Sequence, residues 1–265
     1  MIKPFIRWAG SKRQLLPVLA KHWNEDYVRY VEPFAGSACL FFHLSPKAAL
    51  LGDINDELIH TYSQVRTRVH RVASCLDFMH KSKNEYLRLR NVDPTQLSAH
   101  ERAARFLYLN RFCFNGLYRT NERGKFNVPY GGRKTGDLPT HEELKACSQR
   151  LRKADLVAGD FSRVLKRVRS GDFVYMDPPF SVRSRRVFNE YDRSIFDPDD
   201  LKRLRNWMER LANKKIHFLV SYADCAEARM LRKDFTAEFV AVRRYIAGFT
   251  GNRVQEREVL ISFKG

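Results

Sequence analysis

The sequence predicts an α/β fold: a parallel sheet flanked by helices and interrupted by a mostly helical insertion. Three observations carry it. Short apolar runs at residues 27–32 and 48–51 each pass through a polar or glycine turn into a helical pattern, and strand-turn-helix units in succession build parallel sheets. Strand signals nearly vanish from Asp56 to Lys153, where helical spacing dominates. They then return in the C-terminal part, within a 265-residue chain long enough to bury one core without disulfides or metals.

Taken in order, the first strand (27–32) turns at Gly36 into a helix over 37–44, and the second (48–51) turns at Asp53 into a helix from Asn55 onward. Helical spacing is clearest over 58–79 and 99–112. Between Leu117 and Val128 the stretch YRTNERGKFN places Gly124 between alternating residues, which predicts a β-hairpin. Further strands are expected at 155–158, 173–176, 218–221, 239–243 and 258–263. The expected organisation is a first part of one domain at 1–55, an insertion at 56–154, and the second part of the domain at 155–265.

Lys and Arg number 48 against 30 Asp and Glu, a net charge of +18 with a sequence pI near 9.9, so a polyanionic partner is expected. Residues 56–154 hold 19 of the basic and 10 of the acidic residues, making the insertion the more basic part per residue. A hydrophobic content of 44% excludes intrinsic disorder. The five cysteines lack the close spacing of a zinc knuckle or redox pair and are read as reduced thiols, with no metal expected. The N-terminal MIKPFIRWAGSKRQ has no signal-peptide run, and no stretch reaches the ~18 apolar residues of a membrane span. A cytoplasmic protein is expected.

Four segments point to chemistry. Trp8-Ala9-Gly10-Ser11-Lys12 lacks the phosphate-loop spacing, which excludes a nucleotide triphosphatase of that kind. Glu32-Pro33-Phe34-Ala35-Gly36-Ser37 is a strand end, a tight turn and a helix start, where parallel sheets bind ligands. Asp53, just past the next strand and beside Ile54, is placed to accept from ribose hydroxyls. Without GxGxxG, an adenosine ligand lacking phosphates fits better than a dinucleotide. The most specific segment is Asp177-Pro178-Pro179-Phe180: an acid delivered by a buried strand, two prolines that stiffen the corner, and a ring. Its carboxylate and the Pro178 carbonyl are two acceptors for a planar amine, with Phe180 available to stack on the attached ring.

These segments, with Phe114-Asn115-Gly116-Leu117-Tyr118-Arg119, Gly124-Lys125-Phe126-Asn127-Val128-Pro129 and Gly159-Asp160-Phe161, occur in the order of the alpha class of amino-methyltransferases. The chain resembles the Dam-type (D12) DNA adenine-N6 methyltransferases from Trp8 to near Phe263. The resemblance implies a Rossmann-like methyltransferase sheet, an inserted helical target-recognition domain carrying a β-hairpin, S-adenosyl-L-methionine as cofactor and double-stranded DNA as partner. It implies a cofactor pocket of Trp8, Ala9, Gly10, Lys12, Phe34, Ala35, Gly36, Asp53, Ile54 and Asp177, with Asp160 and Phe161 at its adenine. Asp177, Pro178, Pro179 and Phe180 would hold the target adenine. Arg7, Asn115, Leu117, Arg119, Asn121, Arg123, Pro129 and Arg133 would lie along the DNA, together with Arg183, Arg185 and Arg186 of the basic loop that follows the catalytic corner. A monomer or weak dimer is expected.

Three positions depart from the family pattern: Ser11 where a second glycine is common, Phe180 where tyrosine is usual, and Ser221-Tyr222-Ala223-Asp224 where a Ser-Asn-His-Asp-like turn is frequent. An RNA adenine-N6 methyltransferase and a non-catalytic DNA-binding relative are the rival readings. The second predicts loss of Asp177 or of the Gly36 and Asp53 pair, and all three are present.

Overall fold

The computed structural model describes residues 2–180, 196–245 and 253–265. Arg183, Arg185 and Arg186 lie outside the described residues, as does the side chain of Arg133.

The N-terminal segment passes through the short helix α1 (Leu16–Leu19) into strand β1 (Arg29–Glu32), then helix α2 (Cys39–Leu44) and β2 (Ala49–Asp53). Helices α3 (Asp56–Asp77), α4 (Lys83–Asn91), α5 (Ala99–Phe112) and α6 (His141–Leu151) follow. The chain then returns to the sheet with β3 (Ala154–Ala158), α7 (Phe161–Leu165), β4 (Asp172–Met176), α8 (Pro198–Asn213), β5 (His217–Ala223), α9 (Ala226–Arg232), β6 (Thr236–Tyr245) and β7 (Arg253–Phe263). The described strands form one seven-stranded sheet in the order β3-β2-β1-β4-β5-β7-β6. Only the β5–β7 and β6–β7 pairs are antiparallel.

Both faces of the sheet are covered, and strand periodicity distributes the side chains between them. Tyr30, Leu51, Tyr175, Leu219 and Leu260 belong to the core shared with α2, α3, α5 and α6. Val31, Leu50, Val174, Val220 and Val259 belong to the core shared with α7, α8 and α9. Strands buried on both faces read as continuous apolar runs, which is why the short runs in the sequence marked them. Helix α3 buries Leu58, Tyr62, Val65, Val69, Val72 and Leu76 along one stripe. It starts where the Asn55 side chain accepts from the Leu58 amide at 3.0 Å, and it kinks at Arg68, whose φ of −135° leaves the helical region.

The register is locked at the far end of the sheet by a buried pair the sequence reading did not find. Arg29 in β1 donates through Nη2 and Nε to both Asp172 oxygens, at 2.7 and 3.2 Å. Two expectations are corrected. The helix after the glycine turn begins at Cys39 rather than at Ser37, because Gly36 and Ala38 both take positive φ and extend the corner. The expected hairpin is a chain reversal without continuous strands: among the described residues it holds two isolated antiparallel bridges, Cys113–Tyr130 and Thr120–Phe126. The ladder fails because Asn121 turns its side chain to the Arg123 and Lys125 amides, Asn127 turns its own to Arg119, and Pro129 has no N–H.

Candidate functional site

Strand order brings the candidate residues to one edge. β1 and β4 are neighbours from which the chain winds in opposite directions, the switch point where open parallel sheets bind ligands beyond the strand ends. Continuing the two-residue alternation past Leu51, Tyr30, Tyr175 and Leu219 puts Asp53, Glu32, Asp177 and Ser221 on the same face of four adjacent strands. Register adds Glu258, two residues before Leu260 on β7 and opposite Ala223 of β5.

Asp53 organises the glycine corner. Its Oδ2 accepts from the Gly36 amide and its Oδ1 from the Asn55 amide, both at 2.9 Å. The Tyr62 hydroxyl donates to the Gly36 carbonyl at 2.6 Å. Gly36 has φ +46°, and a Cβ built there would meet Trp8 Cδ1 at 2.7 Å, so only glycine lets the indole close on this turn. Trp8 stacks on Tyr118 with ring centres 6.0 Å apart. Ser11 accepts from the Ser37 hydroxyl at 3.2 Å and ties the N-terminal segment to the corner. Ala9 and Gly10 are exposed beside it.

Around this corner Ile54 is 55% exposed, an apolar surface next to the Asp53 carboxylate. Phe34 is partly buried and stacks on Phe161 at 5.2 Å. Phe161 is itself buried, with the Arg203 guanidinium 4.7 Å from its ring centre. Asp160 caps α7 through the Ser162 amide and pairs with Arg203 at 2.6 Å. Both residues are thus engaged within the fold, and Phe34 and Ile54 carry the more open apolar surface.

The acidic elbow follows β4. Lys12, read from the sequence with the glycine corner, is buried against it: its Nζ lies 2.9 Å from Asp177 Oδ1 and 3.6 Å from Glu258 Oε2. The same ammonium sits 4.8 Å from the Phe180 ring centre. Ser221 donates to Asp177 Oδ1 at 3.0 Å, and its oxygen is 2.9 Å from the Tyr175 hydroxyl. The Tyr222 ring meets Phe180 edge-on at 5.1 Å. Pro178 is buried and Pro179 exposed, while the Asp177 side chain remains 20% exposed. Burial pushes the Asp177 carboxyl above the ordinary aspartate value, opposed chiefly by the Lys12 ammonium. Between the two clusters Glu32 is buried, and its burial, with Asp177 and Asp53 nearby, raises its carboxyl well above the ordinary range.

The expected DNA-facing residues are brought together in part. Arg119, Asn121 and Arg123 line one surface concavity of about 310 Å³ with Glu122 and Asn127. Asn127 Oδ1 accepts from Arg119 Nε at 2.8 Å and orients that guanidinium. Asn115, at φ +54°, and Pro129 are exposed nearby. Leu117 is partly buried and packs against the core, whereas Arg7 donates through Nη1 to the Arg111 and Thr135 carbonyls, bracing the N-terminal segment against α5. Sequence reasoning missed Glu258, Glu32 and the contact between Lys12 and Asp177. It had marked Ser221 only as part of a departing turn.

Among the described residues no cluster of His, Cys, Asp and Glu suits a metal ion, and no helix is long and apolar enough to cross a membrane. A family model described as D12 class N6 adenine-specific DNA methyltransferase matches residues 8–246. The chain is 34% identical over 273 residues to the type II methyltransferase M1.LlaDCHI of Lactococcus lactis subsp. cremoris, covering 100% of this chain and 96% of that protein. It is 32% identical over 269 residues to the DNA adenine methylase of Serratia marcescens, covering 99% and 98% respectively. With the type II methyltransferase M.MjaIII of Methanocaldococcus jannaschii it shares 32% identity over 242 residues, covering 83% and 84%.

Proposed function

The chain belongs to the D12 class of N6 adenine-specific DNA methyltransferases, and from that premise we propose that it moves a methyl group from S-adenosyl-L-methionine to N6 of an adenine turned out of duplex DNA, with Asp177 as the residue that receives the amine. The observation that carries this reading is the elbow itself: an aspartate and a proline carbonyl at the end of a central strand, one ring away from Phe180 and next to the glycine corner.

The residues at that corner suit an adenosyl sulfonium. Asp53 accepts from the Gly36 and Asn55 amides, one on each oxygen, which fixes its carboxylate at the glycine corner where a carboxylate acceptor suits ribose hydroxyls. Ile54 and Phe34 offer apolar surface to an adenine ring. When bound, S-adenosyl-L-methionine supplies the electrophilic methyl. Trp8 and Gly36 shape the pocket wall, and Lys12 belongs to the neighbouring elbow.

The N6 amine is a weak nucleophile because its lone pair is delocalised into the purine ring. Asp177 and the Pro178 carbonyl each accept one N–H and draw the nitrogen toward tetrahedral geometry, which frees the lone pair in line with the methyl. Alignment of this kind supplies about 7 to 11 kcal/mol of a barrier. As the N–C bond forms at the expense of the sulfonium's S–C bond, whose electron pair would stay on sulfur as a thioether, the nitrogen's surplus proton leaves along its hydrogen bond to Asp177. Turning the base out costs a few kcal/mol, and stacking on Phe180 returns about 1 to 3 kcal/mol of it.

The 56–154 segment serves as the recognition region in this reading, with the Arg119 concavity against the duplex. Labelled-methyl transfer to matched duplex DNA and RNA is the test. DNA is expected to be labelled at N6 of adenine and RNA not. Asp177→Asn is expected to lose at least about 100-fold in rate, the cost of misplacing reacting groups by about 1 Å. Phe180→Tyr keeps the stacking face and is expected to stay near the wild-type rate. Transfer undiminished in Asp177→Asn removes the elbow from the chemistry.

A further inference from the structure

We propose that Ser221 and Glu258 are positioning residues for the transfer: with Lys12 they commit the Oδ1 side of Asp177 to the protein and leave Oδ2 to receive the amine. The proposal rests on the elbow reading above and deepens it by naming which carboxylate oxygen works and what holds it.

Two donors converge on one atom. Lys12 Nζ and Ser221 Oγ lie 2.9 and 3.0 Å from Asp177 Oδ1, and among the described residues no hydrogen bond goes to Oδ2. Proton counting fixes the direction of the chain behind it. A serine hydroxyl has one hydrogen, and Ser221 spends it on Asp177. The Tyr175 hydroxyl, 2.9 Å away, is therefore the donor to Ser221 and acts from the same strand that delivers Asp177. The relay runs Tyr175 to Ser221 to Asp177 and fixes the carboxylate plane from the β5 side.

Glu258 acts from the other side through Lys12. An ammonium between two carboxylates is held in place by both, and Glu258, 2% exposed on β7, is the more rigid partner because both its neighbours in the sheet, Ala223 and Val240, are strand residues. Lys12 also donates to the Gly10 carbonyl at 3.3 Å, and without Glu258 the ammonium is drawn further toward Asp177 and the position the amine needs. Glu258 lies beyond residues 8–246, the stretch matched by the family model, so it is not among the motif residues.

The groups that face the elbow are Lys12 from the N-terminal segment, Glu32 from β1, Cys39 from α2, Tyr175 from β4, Ser221 from β5 and Glu258 from β7. Among them Glu258 pushes the Asp177 carboxyl up and the Ser221 hydrogen bond holds it down. Removing each therefore moves the same carboxyl in opposite directions, which a role in packing alone does not produce.

The experiment is a 13C titration of the Asp177 carboxyl, assigned by its loss in Asp177→Asn, run on the intact chain beside pH profiles of methyl transfer. Glu258→Gln is expected to lower the carboxyl's midpoint and Ser221→Ala to raise it, each with a fall in kcat of about 10- to 100-fold, the range for a reacting group displaced by up to about 1 Å. KM for DNA is expected to change little. Ser221→Thr, which keeps the hydroxyl, is expected to restore the midpoint. If Ser221→Ala does not fold, Ser221→Cys, with its far weaker donor, gives the same direction at smaller amplitude. Midpoints that stay fixed, or move the same way in both variants, overturn the proposal. The titration needs no turnover, so a wild-type chain that transfers no methyl group to DNA defeats the functional reading separately.

Discussion

Glu32 shows how the sheet sets the chemistry of a single residue. It ends a four-residue strand that is buried throughout, so burial disfavours a negative charge on its carboxyl, a hydrogen bond with Tyr30 opposes that, and the nearby Asp177 and Asp53 add to it. Burial is the larger cause, and both raise it well above its ordinary value of 4.5. In the folded chain Glu32 keeps a proton that the unfolded chain releases above about pH 4.5. Its contribution to stability is therefore complete below that pH and is lost as pH rises toward the raised folded value, by at most about 1.4 kcal/mol per unit. Glu32→Gln mimics the protonated acid and removes the linkage. Melting temperatures measured from pH 5 to 8 are expected to fall less steeply for the variant than for the wild-type chain. Parallel curves would mean that Glu32 is ionised in the fold.

At the scale of elements, the bridged loop between α5 and Pro129 is where sequence reading and structure part. Alternation and Gly124 predicted a hairpin, and the reversal is present, but Asn121 and Asn127 spend side chains on local partners and leave isolated bridges. The same Asn127 sets Arg119 by its Nε, so the guanidinium is presented as an oriented fork rather than a tethered charge. An oriented fork suits a guanine edge, and Arg119→Ala is expected to relax preference at one base pair by about 5- to 150-fold, equivalent to 1–3 kcal/mol, as read by methylation of a randomised site library. Equal loss on every sequence would make Arg119 a phosphate clamp. The strands were legible because burial on both faces leaves unbroken apolar runs, and the elbow because Asp-Pro-Pro-Phe is stiff wherever it occurs. Lys12 and Glu258 were not legible as partners of Asp177. Their meeting depends on strand order and on the β5–β7 register, which long crossovers set and no local pattern records. Within the polar run Gln255-Glu256-Arg257-Glu258 no local pattern singles out Glu258, and its pairing with Ala223 specifies its place.

Across the whole molecule, charge divides two kinds of binding. The net +18 is spread over the chain, with half of it in residues 56–154, while Lys12, Asp177 and Glu258 at the strand ends are few and paired with one another. Surface cations act on DNA by releasing condensed counterions, so log K falls by about 0.9 per phosphate contacted as log salt rises. Six to ten contacts give a slope of about −5 to −9, a loss of roughly 10³- to 10⁵-fold between 50 and 200 mM salt. A methyl donor received at the Asp53 corner, as proposed above, would meet little of that screening, because buried contacts are screened far less than exposed ones. Affinity for duplex DNA, read by anisotropy, is therefore expected to collapse over a salt range in which cofactor affinity, read by calorimetry, hardly moves. A DNA slope shallower than about −2 would mean that two or fewer phosphates are neutralised, and the charge excess would then serve something other than the duplex.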